Sequence, residues 1–100
     1  MKVKDLKVGK VYILNSPPHT KIALMERAAS YRNNEYCGAI SYNETAICLD
    51  YKKVKGTWRG EEIFYHCTKF LTSSSILGWL VQTTRSYRLF SPIEGDDIGQ

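Results

Sequence analysis

No stretch of this 100-residue chain is apolar enough to cross a membrane as a helix. The longest apolar run, residues 76–81, is interrupted by Gly78, whereas a span needs about 20 apolar residues. Met1-Lys2-Val3-Lys4-Asp5 offers charge with no apolar run behind it, so no secretory signal is expected at this end. Cysteine is sparse: Cys37, Cys48 and Cys67 are odd in number and widely spaced, unlike the even, dense set of a disulfide scaffold. Three reduced thiols and a cytoplasmic setting are expected, with one disulfide plus a free thiol as the alternative. Histidine occurs twice, and neither CxxC nor HxxxH spacing is present. The seven glycines are dispersed, which excludes a P-loop or dinucleotide fingerprint.

The scarcity extends to catalytic groups. Cys37, Cys48, Cys67, His19 and His66 are the possible metal ligands, but adjacent His66 and Cys67 point to opposite faces of a strand, and buried structural cysteines are the simpler reading. A nucleophile with a base would have to be Cys67 or Cys37 with His19, and nothing in the spacing brings them together. The pairs Glu61-Glu62 and Asp96-Asp97 are adjacent residues, unsuited to shared acid–base work; the first offsets the basic stretch before it. No catalytic residue, metal or cofactor is expected.

What the chain does have is an ordinary globular composition, 43% hydrophobic and 24% charged, in a length typical of one domain. Strand signals recur roughly every ten residues. Residues 11–14, 45–51, 61–70 and 77–83 alternate or are rich in β-branched and aromatic side chains. Ile47 and Leu49 should face one way, Ala46 and Cys48 the other. Residues 21–32 are ambiguous, because Ala23, Leu24, Met25, Ala28 and Ala29 are helix formers. A long strand over 21–32, turning at Asn33-Asn34 to pair with 36–42, is the favoured reading, and a short helix near 21–30 the alternative. Residues 52–60 read as a basic loop and 72–75 as a turn. Residues 77–83 and 86–90 read as a final hairpin, stopped by Pro92. Trp79, inside the apolar run, reads as core.

These signals predict a mainly β fold, a small SH3-like barrel or a two-sheet β-sandwich of six to seven antiparallel strands. Residues 1–91 form the domain and 92–100 an acidic, flexible tail. Asp5-Leu6-Lys7-Val8-Gly9-Lys10-Val11-Tyr12 resembles the opening of SH3-like small barrels, where a glycine turn feeds the first strand. The resemblance implies a partly open barrel whose loops bind protein or nucleic acid.

Charge is the most informative global property. The chain carries 14 basic against 10 acidic residues, and Glu94, Asp96 and Asp97 fall in the last nine positions, so residues 1–91 carry 14 against 7, or +7. Such a body attracts polyanions, whether nucleic acid or an acidic protein surface. Lys52, Lys53, Lys55 and Arg59 surround Trp58, and Arg85, Tyr87 and Arg88 repeat the combination, as do Tyr31, Arg32 and Tyr36. Cations neutralise phosphates while aromatic faces stack on bases. The bland alternative is a Trp58 that anchors its loop to the core among solubilising lysines. Lys2, Lys4, Lys7 and Lys10 suit either an arm near phosphates or a protected strand edge.

Three functions compete. The first is a nucleic-acid-binding module using Lys52, Lys53, Lys55, Trp58, Arg59, Arg85, Tyr87 and Arg88. The second is a protein-interaction module, a small regulator or inhibitor such as a phage or other virus encodes, drawing on seven tyrosines and two tryptophans. The third is a pocket for a small anion. An open strand edge invites homo-oligomers.

Overall fold

Side chains that alternate between apolar and polar bury one row of a pleated strand and leave the other wet. In the computed structural model that pattern yields, among the described residues, seven strands: β1 Lys10–Leu14, β2 Lys21–Met25, β3 Tyr36–Ser41, β4 Thr45–Trp58, β5 Glu61–Thr72, β6 Leu77–Thr83 and β7 Phe90–Asp97. The structure describes residues 6–14, 21–83 and 90–97, with backbone alone for Leu14 and 90–97. The strands form one antiparallel sheet in the order β3-β2-β6-β5-β4-β1-β7. A mainly β fold is therefore correct, and a single sheet replaces the two-sheet sandwich. Among the described residues the 3-10 turn Tyr31–Asn33 is the sole helical element, and no helix is long and apolar enough to cross a membrane.

One face of the sheet gathers Tyr12, Ile22, Leu24, Ile40, Ala46, Cys48, Phe70 and Leu80, joined by Leu6, into the main core. The opposite face of the central strands carries a second cluster of Tyr65, Cys67, Trp79 and Val81, covered by Met25 and Ala28. Strand β5 is thus buried on both sides, with Tyr65 and Cys67 facing one cluster while Thr68, Phe70 and Thr72 are buried on the other face. Trp79 is core, as expected.

The two faces exchange phase at a bulge in β4. Cys48 lies opposite Phe70 and Asp50 opposite Lys69, so Leu49 is an extra residue in the register. Ala46 and Cys48 point into the main core and Leu49 outward, as the alternation predicts. Beyond the bulge it is the odd-numbered Tyr51, Lys53 and Lys55 that continue the core-side face, and Lys52, Val54, Gly56 and Trp58 that continue the outer one.

Several expectations are corrected. Ile22 and Leu24 are buried between exposed Lys21 and Ala23, a period of two that excludes the helix near 21–30. The strand ends at Met25, not Arg32, because residues 26–35 close a loop on themselves. The Glu26 amide donates to the Glu35 carbonyl at 2.8 Å. Asn34 braces the inside, accepting from the Arg27 amide at 2.9 Å and donating to the Ala29 carbonyl at 3.1 Å. Asn33-Asn34 is therefore not a two-residue hairpin turn. Residues 52–58 are strand rather than loop, since every residue from Lys52 to Trp58 has a partner in β5. Gly56 marks a close approach: a Cβ there would lie 2.6 Å from the Tyr65 ring. The turn and most of the second strand of the expected final hairpin, residues 84–89, lie outside the described residues; Phe90, its last residue, pairs with Leu14 of β1. Pro92 does not stop β7 but lies within it, opposite Tyr12, tolerable in the strand that ends the sheet because no further ladder needs its missing N–H. Residues 92–97, expected as tail, therefore continue the sheet.

Glu44, at the β3–β4 turn, ties that turn to the β5–β6 turn. Its carboxylate accepts from the Ser41 amide at 2.9 Å, the Ser74 amide at 3.1 Å and the Ser74 hydroxyl at 2.5 Å. Partial burial acts to raise its pKa, but the hydrogen bonds from Ser74, Ser41 and Thr72 outweigh that and hold it below the ordinary 4.5. A depressed carboxylate stabilises the fold above its unfolded pKa and loses that contribution as pH falls through the folded value. The midpoint of urea unfolding should therefore fall on acidification below about pH 4.5, and Glu44→Gln should lower it at neutral pH while flattening this fall. A second test lies at Gly78, where a Cβ would sit 2.7 Å from Cys37 Sγ and 2.8 Å from Leu24 Cβ. Gly78→Ala should cost about 1–3 kcal/mol in the same assay, the usual scale of overpacking.

Candidate nucleic-acid interface

Strands β4 and β5 stay paired from Ala46↔Thr72 to Trp58↔Glu61, and among the described residues β6 accompanies β5 as far as Tyr65↔Thr83. Residues 55–64 consequently project as a two-stranded ribbon with no third strand among the described residues. Its tip is the two-residue turn Arg59-Gly60, at φ 52° and 77°. Positive φ at both central positions defines a type I′ turn, whose twist matches that of the flanking strands. Gly60 takes such a φ freely. Arg59 does not: a side chain there costs roughly 1–2 kcal/mol.

The bulge decides which side of the ribbon each candidate occupies. On the outer face Val54, Gly56 and Trp58 lie opposite Tyr65, Ile63 and Glu61, and on the other face Lys53, Lys55 and Thr57 lie opposite His66, Phe64 and Glu62. Trp58 is 55% exposed, so it does not anchor the hairpin to the core. The Arg59 guanidinium lies 5.7 Å from the Trp58 ring centroid, within cation–π range. Lys55 pairs with Glu62 at 3.1 Å, an exposed ion pair of small energetic weight that matches the offsetting role expected of Glu61-Glu62.

A groove of about 710 Å³ opens between this ribbon and the loop that follows β2. The ribbon supplies Lys55, Trp58 and Arg59, the loop supplies Tyr31 and Arg32, and Tyr65 and Gly56 lie between them. The Tyr31 hydroxyl donates to the Val81 carbonyl, which fixes the loop against the sheet while leaving half of the residue exposed. Cations from two separate segments thus flank an accessible indole. Arg32 was legible in the sequence only as part of Tyr31-Arg32, a repeat of the cation–aromatic combination; its position depends on the loop closure at 26–35.

The remaining predicted residues are distributed differently. Lys52 lies back along the outer face, its ammonium 5.7 Å from the Trp79 ring centroid, which Lys69 also approaches at 5.8 Å. Lys53 is on the opposite face, 4.4 Å from the Phe64 ring centroid. Neither lines the groove. Arg85, Tyr87 and Arg88 lie outside the described residues, as does His19. Tyr36 is exposed on β3, away from the groove lining.

Burial pushes the Cys67 thiol up to about 11, and burial together with the Asp50 charge does the same to Cys48, keeping both protonated and poorly nucleophilic. Cys37 Sγ lies 3.5 Å from the carbonyls of Leu24 and Leu77, and none of the three is in a disulfide. The Tyr51 hydroxyl, whose pKa is raised by burial and by Cys67, shares a hydrogen bond with His66 Nδ1. Among the described residues no group of three or more His, Cys, Asp or Glu is placed to hold a metal ion.

Arg59 occupies a turn position that Asn fills with less strain. Arg59→Asn should raise stability by about 0.5–1 kcal/mol in urea unfolding while removing the cation that faces Trp58. A lowered stability would show that the cation–π contact outweighs the backbone strain. No protein-family model matches the chain, and no curated protein or solved structure resembles it significantly.

Proposed function

We propose that this chain is a small non-enzymatic module that binds nucleic acid through the β4–β5 ribbon and the adjoining groove. The observation that carries the reading is Trp58, exposed at the ribbon tip beside Arg59, over a groove that also takes in Arg32. Phosphates meet the cations by displacing counterions, and a base meets the indole by stacking. The +7 charge of residues 1–91 adds long-range attraction. Lys52 and Lys53, on opposite faces of the hairpin, contribute to that field rather than to the groove. The likeness to SH3-like barrels at residues 5–12 agrees with loops and a hairpin as the binding elements. Three unpaired thiols fit a cytoplasmic setting.

A second reading, a protein-interaction module acting as a small regulator or inhibitor of the virus-encoded kind, draws on a different surface. Val11, Ile47, Leu71 and Leu77 lie directly opposite one another across β1, β4, β5 and β6, and Leu49, Leu71 and Leu77 are exposed. Such an aliphatic row suits a protein partner. The terminal strands β3 and β7 are the edges through which copies of the chain would associate.

The test is fluorescence anisotropy with labelled mixed-sequence DNA and RNA, starting near ~50 mM salt, where phosphate contacts are strongest. Binding should weaken linearly in log–log form as salt rises. Arg32→Ala and Arg59→Ala should each reduce the slope by about one. Undetectable binding to either polymer at low salt ends the proposal and leaves the aliphatic row as the surface to pursue.

A further inference from the structure

We infer that the nucleic acid this groove takes is single-stranded, with one unpaired base stacked on the Trp58 indole while Arg59 and Arg32 hold the flanking phosphates. The inference rests on the nucleic-acid reading above and specifies its ligand class. Three observations carry it.

The first is the kind of side chain at the ribbon tip. A two-stranded ribbon can enter the major groove of a duplex, but there it reads base edges with hydrogen-bonding side chains. The outer face here presents Val54, Gly56 and Trp58, and on the other face Phe64 is also exposed. Aromatic faces find no partner in a duplex, because each base already has a neighbour above and below. An unpaired base offers its π-face freely, and stacking on Trp or Tyr is the sequence-tolerant contact of single-strand binders.

The second is the size and openness of the site. At about 710 Å³ the groove falls within the roughly 300–1,000 Å³ of pockets that accept a compact organic ligand. Its walls are the ribbon on one side and the loop around Tyr31–Asn33 on the other. A single nucleotide with its flanking backbone can lie between such walls, whereas a double helix can only rest across their rims and would leave Trp58 and Tyr31 unused.

The third is the cost built into the turn. Arg59 is held at φ 52° beside an unstrained Gly60, and its guanidinium lies 5.7 Å from the Trp58 centroid. Non-glycine residues keep such a backbone where a function needs the side chain there. The arrangement places a planar cation next to the stacking surface, where the phosphate of a stacked nucleotide falls. Tyr31, fixed through its hydroxyl to the Val81 carbonyl, turns its exposed ring surface to the same space.

The experiment uses the full chain with fluorescein-labelled oligothymidylate and a blunt duplex matched for total phosphate, both read by anisotropy. Trp58 emission is followed in a Trp79→Phe background, and should that variant fail to fold, the difference between wild-type and Trp58→Phe spectra gives the same signal. The expected result is preference for the single strand, quenching of Trp58 on binding, and a loss of about tenfold or more in affinity for Trp58→Ala. That loss should leave the salt slope unchanged and be partly rescued in Trp58→Phe. Equal or tighter binding of the duplex, with Trp58→Ala neutral, overturns the single-strand inference and leaves nucleic-acid binding standing. Failure of both probes to bind overturns both.

Discussion

The extra residue at Leu49 is the constraint on which the site depends. A strand has only two faces, and one inserted residue exchanges them for everything that follows. Before Leu49, β4 sends Ala46 and Cys48 into the main core; after it, the same side of the sheet receives Tyr51, Lys53 and Lys55. Without the bulge, Lys52, Val54, Gly56 and Trp58 would continue the core-side row, and the indole would point away from the loop around Tyr31. The bulge thereby turns a composition, lysines around a tryptophan, into a surface with a cation–aromatic side and an opposite side holding Lys53 over Phe64.

Strand β5 shows the complementary constraint. Its middle is packed on both sides, with Cys67, Thr68 and Phe70 all fully buried in sequence proximity. Among the described residues, Thr68 Oγ1 and Gln82 Oε1 are buried there without a hydrogen-bond partner. They belong to neighbouring positions of the core-side face, since Thr68 lies opposite Leu80 and Gln82 opposite His66. Orphaned buried oxygens oppose the fold by about 1–3 kcal/mol each, so the aliphatic and aromatic burial around them must carry a surplus.

Local pattern was sufficient for the mainly β fold, for the alternation at 45–49, for strands 61–70 and 77–83, and for the core position of Trp79. Wherever the outcome turned on contacts distant in sequence, pattern fell short. Residues 26–35 became a closed loop because Asn34 finds Arg27 and Ala29, a side-chain bracing that looks identical in sequence to a hairpin turn. Residues 52–58 became strand because β5 offered a continuous ladder, overriding the appearance of a lysine-rich loop. The partnership of β7 with β1 joins opposite ends of the chain, and no short-range signal encodes it. For the site, Trp58 and Arg59 were legible from composition, while Arg32 and Tyr31 needed the loop closure to bring them across the groove; Lys52 and Lys53 are separated by the pleat itself, and the inserted residue decides which face each takes.

The projecting ribbon has a consequence for how the molecule absorbs motion. Among the described residues its tip, 57–62, has no flanking strand and belongs to neither core cluster, whereas the lower half of β5 is sealed on both sides. Opening events in such a gradient are graded: the tip can fray or bend at small free-energy cost, and amides near Phe70 open only with the whole sheet. The part of the protein that meets a ligand can therefore adapt its shape while the scaffold stays closed, and any ordering entropy surrendered on binding is confined to about ten residues at one end of one hairpin.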